Sequence, residues 1–258
     1  RENFFPLICI NKLIMPQIYE VGGCVRDEII GVHTNDIDFT FVLDNTDQTV
    51  DEGWDEMLSH LKTEGFKIFL ETKDCFTVRA KFPKGHVNEG LVADFVMARK
   101  EVGYILGTRK PILELGTLED DLRRRDFTLN ALAKDLDGTI VDLFEGRKHL
   151  EEGILVTPLN PIKTFFDDPL RMIRALRFSI TKGFEIDPEV WDAMFEPGLI
   201  EHLKNVVSKE RIQGEVSKMM KHDTVSTLRL LAKIDKIEPK LLEVMFGGDI
   251  WLLPSTKK

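Results

Sequence analysis

Two aspartates one residue apart, Asp36 and Asp38, follow a Gly22-Gly23 pair in the stretch YEVGGCVRDEIIGVHTNDIDFTFV. Ile37, Phe39 and Phe41 alternate with Asp36, Asp38 and Thr40, the pattern of a half-buried strand. Residues two apart on a strand face the same side, so both carboxylates point to one spot. Adjacent carboxylates repel unless a cation lies between them. Oxygen-only ligands suit Mg²⁺, which is commonly held by one or two carboxylates and a substrate's own phosphates. Gly22 and Gly23 predict a turn whose backbone N–H groups can approach a phosphate. A helix over residues 24–30 would start at that turn, which favours anions, and Gly31 would end it. Taken alone, N-D-x-D is more often only a loop cap, and a lone Gly-Gly pair is a weak sign.

Three further groups could act with that pair. Asp94 sits in the apolar run VADFVMAR. It is either a strand-end residue facing solvent or a third carboxylate beside Asp36 and Asp38, because a buried carboxylate is costly unless paired or metal-bound. Arg123, Arg124 and Arg125 precede Asp126 and Asn130, and arginine's planar fork suits phosphate oxygens. On a helix Asp126 and Asn130 would share one face, where a carboxylate and an amide can hold sugar hydroxyls. The alternative is a solvated charge run. Asp168-Pro169 is a good helix start in its own right, with Arg171, Arg174 and Arg177 following at three-residue steps. Asp168 can accept from an exocyclic amino group while Arg171 donates to a ring nitrogen. Cytosine and adenine share that edge pattern, and uracil and guanine present the reverse.

The elements that must position these groups fall into two styles. Strands are expected over residues 18–21, 36–42, 65–70, 76–82, 91–98 and 140–142, with helices over 24–30, 49–63 and 118–132. Beyond the Pro-bearing stretch 154–169 the pattern is almost wholly helical: 169–181, 188–194, 197–207, 209–221 and 222–234. The fold class is therefore α+β, a mixed sheet with helices followed by an all-helical part. The boundary is set near residue 150, giving units 1–150 and 151–258.

The chain has 258 residues, 43% hydrophobic and 31% charged, an ordinary globular composition. No apolar run approaches the ~20 residues of a membrane span. The net charge of −9 lies mostly in the first 150 residues, which rules out a coat for indiscriminate nucleic-acid binding. Three scattered cysteines, Cys9, Cys24 and Cys75, fit a reducing compartment. The six histidines show no paired metal spacing with them, which argues against zinc. A cytoplasmic location is expected, with organellar targeting left open because the chain begins at Arg1. Nothing in the sequence sets the oligomeric state.

The motifs, in this order, resemble the class II CCA-adding tRNA nucleotidyltransferases of the polymerase β superfamily. GGCVRDEIIGVHTNDID is similar to the family's first motif. RRDFTLNALAKDLDGTIVDLFEGRKHLEEGIL is similar to the second and third, DDPLRMIRALRF to the fourth and SKERIQGEVSKMM to the fifth. The resemblance runs from about Tyr19 to Lys221. It implies a nucleotidyltransferase head, a helical neck and the start of a body, the last two binding RNA and nucleotide. It implies metal ligation by Asp36 and Asp38, with Mg²⁺ as cofactor and Asp94 as a further catalytic acid. It places Gly22, Gly23 and Arg26 at the triphosphate, and Arg124, Arg125, Asp126 and Asn130 at the ribose and phosphates. Asp168 and Arg171 would read the base, supported by Arg174. Arg99, Lys100 and Arg109 fall in a loop region associated with the switch from C to A. Two departures stand out: Asp167 occupies a position usually held by Glu, and only the start of a body is expected within the given 258 residues, where family members usually continue through body and tail domains that grip tRNA.

The expected reaction is two-metal addition of CMP and AMP, from CTP and ATP, to the 3′ end of tRNA. Rivals are a poly(A) polymerase, a CC-only or A-only enzyme, and a non-catalytic RNA- or nucleotide-binding module. The bacterial poly(A) polymerase stretch G-R-R-F-x-L is not evident after D-x-D; FLETKDCFTVRAKF stands there instead.

Overall fold

The structure is a computed structural model and describes residues 17–44, 47–105 and 111–247. Cys9 and Arg109 lie outside the described residues. The chain starts with strand β1 (Gln17–Val21), helix α1 (Gly23–Ile29) and strand β2 (Ile37–Val42). Helix α2 (Val50–Thr63) follows, and its start is fixed locally: Thr49 and Glu52 form a reciprocal capping box. Strands β3 (Lys67–Thr72), β4 (Thr77–Lys81) and β5 (Val92–Met97) continue the sheet. A hairpin of β6 (Arg99–Tyr104) and β7 (Pro111–Leu115) stands apart from it. Helix α3 (Leu118–Arg123), capped by Thr117 and Asp120, leads to β8 (Leu132–Lys134) and β9 (Ile140–Asp142).

The main sheet has the order β3-β4-β5-β2-β1-β8-β9. Only the β2–β5 pairing within it is parallel. That parallel register sets Asp38 opposite Asp94, and β4 sets Arg79 opposite Asp94 on the other side. Under the sheet, Phe39, Phe41, Trp54, Met57, Leu61, Phe95 and Met97 form one core.

The rest is mainly helical: α4 (Gly146–Glu152), α5 (Pro161–Asp167), α6 (Leu170–Thr181), α7 (Pro188–Ala193), α8 (Leu199–Val206), α9 (Lys209–His222), α10 (Thr224–Asp235) and α11 (Pro239–Phe246). The sharp breaks have simple causes. Asn160, Asp187 and Asp223 cap the backbone at the starts of α5, α7 and α10, and proline opens α5, α7 and α11. A short parallel pair, β10 (Ile154–Leu155) and β11 (Glu185–Ile186), interrupts the helices. A second core runs through this part, and it recruits Phe127 and Leu129 from before residue 150.

One expected element is corrected. The helix over 118–132 ends at Arg123, residues 128–130 form a single 3-10 turn, and β8 begins at Leu132. Phe127 and Leu129 face the helical core, whereas Ala131 and Ala133 pack with Val21 on the sheet. A continuous helix could not serve both cores. The β6–β7 hairpin, α4, α5, α11 and the β10–β11 pair were not expected. Among the described residues, no helix is long and apolar enough to cross a membrane.

Candidate active site

The site begins at the end of β1. Gly22 has φ 80°, a left-handed backbone that favours glycine. A Cβ built there would lie 2.7 Å from Arg125 Nη1. The Arg125 guanidinium thus lies against the glycine turn, in space that only a glycine leaves open. Arg125 Nη1 also donates to the Asn130 carbonyl at 3.4 Å.

Next to it, β2 carries the carboxylate pair. Asp36 is exposed and Asp38 part-buried. Burial, with Asp36 and then Asp94 nearby, raises the Asp38 pKa to about 6 against the opposing pull of Arg125 and Arg79. Strand pairing thus brings Asp36, Asp38 and Asp94 into one electrostatic group. They are not equivalent: Arg79 grips both oxygens of Asp94, Nε to Oδ1 and Nη2 to Oδ2, each at 2.6 Å. Among the described residues no three His, Cys, Asp or Glu side chains converge as a metal site. The crowded Asp36–Asp38 pair, with its oxygen donors, fits a hard divalent cation that takes its remaining ligands from phosphates. A shallow cavity of about 260 Å³ borders Asp94 and is lined by Leu70, Thr72, Cys75, Thr77 and Arg79.

A buried brace links α1 to α6. Arg26 is 6% exposed. Its Nε and Nη2 donate to Asp27 Oδ1 at 2.9 and 2.8 Å, and its Nη1 donates to Asn130 Oδ1 at 2.5 Å. Asn130 Nδ2 donates to Asp126 Oδ1 at 2.9 Å. The other oxygen of Asp126 accepts from Arg174 Nε and Nη2 at 2.8 and 2.6 Å. Burial alone would raise the Asp126 pKa, but Arg174 and Asn130 outweigh it and pull it down to about 2. Asp126 and Asn130 are therefore brought together as expected, through a turn rather than along one helix. Lys182 closes the far end on Asp27 at 3.0 Å. Phe178 lies beneath the guanidinium carbons of Arg26, Arg174 and Arg177 at 5.3, 5.6 and 4.0 Å, a cation–π arrangement.

The Asp168–Arg171 pair is at the start of α6, but the two side chains serve the backbone. Asp168 Oδ1 accepts from the Leu170 N–H at 3.0 Å. Arg171 donates through Nη1 to the Thr164 carbonyl at 3.1 Å and through Nη2 to the Arg124 carbonyl at 2.6 Å. The second bond joins α6 to the arginine run. Lys163 holds Asp167 at 2.6 Å.

Arg124 and Arg125 both reach Asp121, the latter at 2.9 Å. Arg99 is pushed down to about 10 by burial and by Arg124, and donates to the Cys75 carbonyl. Arg123 turns outward to Glu119. Sequence reasoning missed Asp121 and Arg79. Arg79 reads as one more surface charge because only strand pairing brings Asp94 to it; Asp121 lies three and four residues before Arg124 and Arg125, within reach of a local spacing argument, and only Thr40 joins it from another element. A larger cavity of about 770 Å³, between α8, α9 and α11, touches none of the candidate site residues.

The chain is similar to known proteins in sequence and in fold. Residues 18–156 match the family described as the poly A polymerase head domain. A tRNA nucleotidyltransferase of Schizosaccharomyces pombe is 34% identical over 210 residues, covering 78% of this chain and 42% of its own length. The CCA-adding enzyme of Limosilactobacillus fermentum is 34% identical over 209 residues, covering 79% of this chain and 46% of its own. The crystal structure of the Bacillus stearothermophilus CCA-adding enzyme with CTP superposes with a TM-score of 0.65 at 30% identity, covering 84% of this chain and 47% of that one. A tRNA nucleotidyltransferase complexed with a primer tRNA and an incoming ATP analogue gives 0.66 at 26% identity, covering 90% and 60%. The chain thus spans about half the length of the curated relatives it matches. Sequence and fold both match one group of proteins, and the chain belongs to the CCA-adding tRNA nucleotidyltransferase and poly(A) polymerase family.

Proposed function

We propose that this chain carries the catalytic part of an enzyme that adds CMP and AMP to the 3′ end of tRNA from CTP and ATP, without a nucleic-acid template. The observation that carries the reading is the crowded Asp36–Asp38 pair beside the Arg125-covered glycine turn. An exposed and a part-buried carboxylate held in repulsion form a site prepared for cations, and the arginine beside them is prepared for phosphate. Asp36 and Asp38 would hold Mg²⁺, which would supply charge neutralisation and activation of the attacking hydroxyl. The tRNA 3′-hydroxyl gives its proton to solvent as its oxygen forms a bond to the α-phosphorus, the bond from that phosphorus to the bridging oxygen breaks, and pyrophosphate leaves with that oxygen.

The rest of the chain positions the reactants. Gly22, Gly23, Arg124 and Arg125 face the triphosphate. Arg26, Asp126, Asn130 and Arg174 form a buried brace beneath the ribose. Asp168 and Arg171 select cytosine and adenine, with Arg171 exchanging a carbonyl contact for the base. Asp94, held by Arg79, flanks the carboxylate pair. Residues 1–150 act as the head and 151–258 as the neck and first part of a body. The compartment is cytoplasmic or organellar, and relatives in Saccharomyces cerevisiae and Candida glabrata are mitochondrial.

The test is incorporation of labelled CMP and AMP into tRNA lacking its CCA end, with the longest natural form of the protein. Wild type should add both. Asp36→Ala should lower incorporation of both by at least about 10³-fold while the circular dichroism spectrum is retained. Untouched turnover in that variant would sink the metal assignment. A long run of A on a generic RNA points to the poly(A) polymerase reading. Nucleotide binding without any incorporation points to a binding module.

A further inference from the structure

Asp121 lies outside every motif considered so far, yet it is fully buried, at 0% exposure. Three donors converge on it. Arg124 bonds Oδ1, Arg125 Nη2 bonds Oδ2 at 2.9 Å, and Thr40 Oγ1 donates to Oδ2 at 2.9 Å. Burial alone would raise its pKa, but the two arginines hold it well below the usual carboxylate range, so it stays charged.

The partners make this more than a buried ion cluster. Thr40 stands two residues after Asp38 on β2 and faces the same side. Arg125 lies against the Gly22 turn. Its Nε–H is buried with no hydrogen-bond partner, so the guanidinium is held through its Nη atoms. A staple between α3 and the sheet needs no charge, since apolar side chains of similar size usually do that as well or better. A carboxylate shared by two guanidiniums and a hydroxyl does something else: it fixes the directions of both forks before any ligand arrives. Free arginine side chains lose rotamer entropy on binding, and fixing them in advance removes that cost.

We infer that Asp121 is the positioning residue of the nucleotide site: it aims Arg124 and Arg125 at the triphosphate and, through Thr40, registers them to the strand that carries Asp38. This rests on the nucleotidyl-transfer reading above. Asp121 does not touch substrate; it acts through the arginines.

Two variants test it, each in the full natural chain. Asp121→Asn keeps shape but drops the charge; Thr40→Val keeps shape but drops the hydroxyl and carries the test if Asp121→Asn does not fold. Affinity for non-hydrolysable CTP and ATP analogues should fall about tenfold in Asp121→Asn and about threefold in Thr40→Val, with tRNA affinity unchanged. The loss in an Asp121→Asn, Arg124→Ala, Arg125→Ala triple variant should not exceed that of the Arg124→Ala, Arg125→Ala pair, as expected for residues acting as one unit. Lower melting temperature with unchanged nucleotide affinity, or losses that simply add, would overturn the inference. A second readout does not depend on the reaction. A dicarbonyl reagent, mapped by mass spectrometry, should label Arg124 and Arg125 faster in both variants, and an unchanged labelling rate overturns the clamp. If wild type binds neither CTP nor ATP, the nucleotidyl-transfer reading fails, while the labelling arm still decides whether Asp121 holds the arginines.

Discussion

Asp38 binds its proton more tightly in the folded protein than in the unfolded chain. Burial and Asp36 raise its pKa to about 6, while an unfolded aspartate titrates near ~3.9. With a raised folded pKa, the linked stability is complete below about pH 4 and is lost as pH rises through about 6. Above that range the folded chain keeps a carboxylate in repulsion with its neighbour. Asp38→Asn removes the repulsion. In chelator at pH 7.5 the variant should be more stable than wild type by about 2 kcal/mol, allowing for partial exposure. At pH 4 the two should melt together. Millimolar Mg²⁺ should raise the wild-type melting temperature and leave the variant's unmoved. Urea or thermal melts at the two pH values decide it, and equal stability at pH 7.5 would show that Asp38 is not crowded. The pair was legible in the sequence because alternation on a strand fixes which residues share a face. Arg79 was not: its bidentate grip on Asp94 depends on strand register across 15 residues, which no local pattern encodes.

At the scale of elements, most strands could be read from alternation, and helix starts from Asn, Asp and Pro. The segment 118–132 could not. Leu118, Leu122, Leu129 and Leu132 keep a helical spacing, but they serve different cores, and the chain must turn at 124–131 to deliver them. The 3-10 turn at 128–130 is where helix α4 docks. A Cβ built on Gly146 would lie 2.3 Å from the Thr128 carbonyl oxygen, so backbone presses on backbone. Gly214 offers the opposite case. It is exposed in the middle of α9, and an added Cβ meets nothing within 4 Å. Two substitutions of the same kind should therefore differ in sign. Gly146→Ala should destabilise by about 2–3 kcal/mol through overpacking, and Gly214→Ala should stabilise by about 1 kcal/mol through helix propensity. Urea unfolding of both measures the contrast; equal effects would mean that the α4 contact on the turn is loose.

Across the whole molecule, a short set of polar and charged contacts ties α1 and the turn at 126–130 to α6 and the residue that follows it: Arg26 to Asn130, Lys182 to Asp27, and Arg174 to Asp126. The last is the most exacting, because Asp126 is 8% exposed and both its oxygens are used. Removing one partner of a buried pair leaves an uncompensated charge, at a typical cost of 3–5 kcal/mol. The effect must depend on pH. The folded Asp126 pKa is depressed to about 2, so its contribution is present above ~4, where the unfolded aspartate is ionised, and is lost as pH falls through about 2. In Arg174→Ala the carboxylate loses its largest stabilising partner and recovers by taking a proton. The variant should therefore be about 3 kcal/mol less stable than wild type at pH 7, with the gap narrowing steadily as pH falls below about 4. Adding Asp126→Asn should return much of the neutral-pH loss, since the amide needs no counter-charge and can still accept from the Asn130 side chain. Unfolding curves across pH for the three proteins make the test, and a gap independent of pH would mean that Arg174 supports the joint by packing on Phe178 rather than by charge.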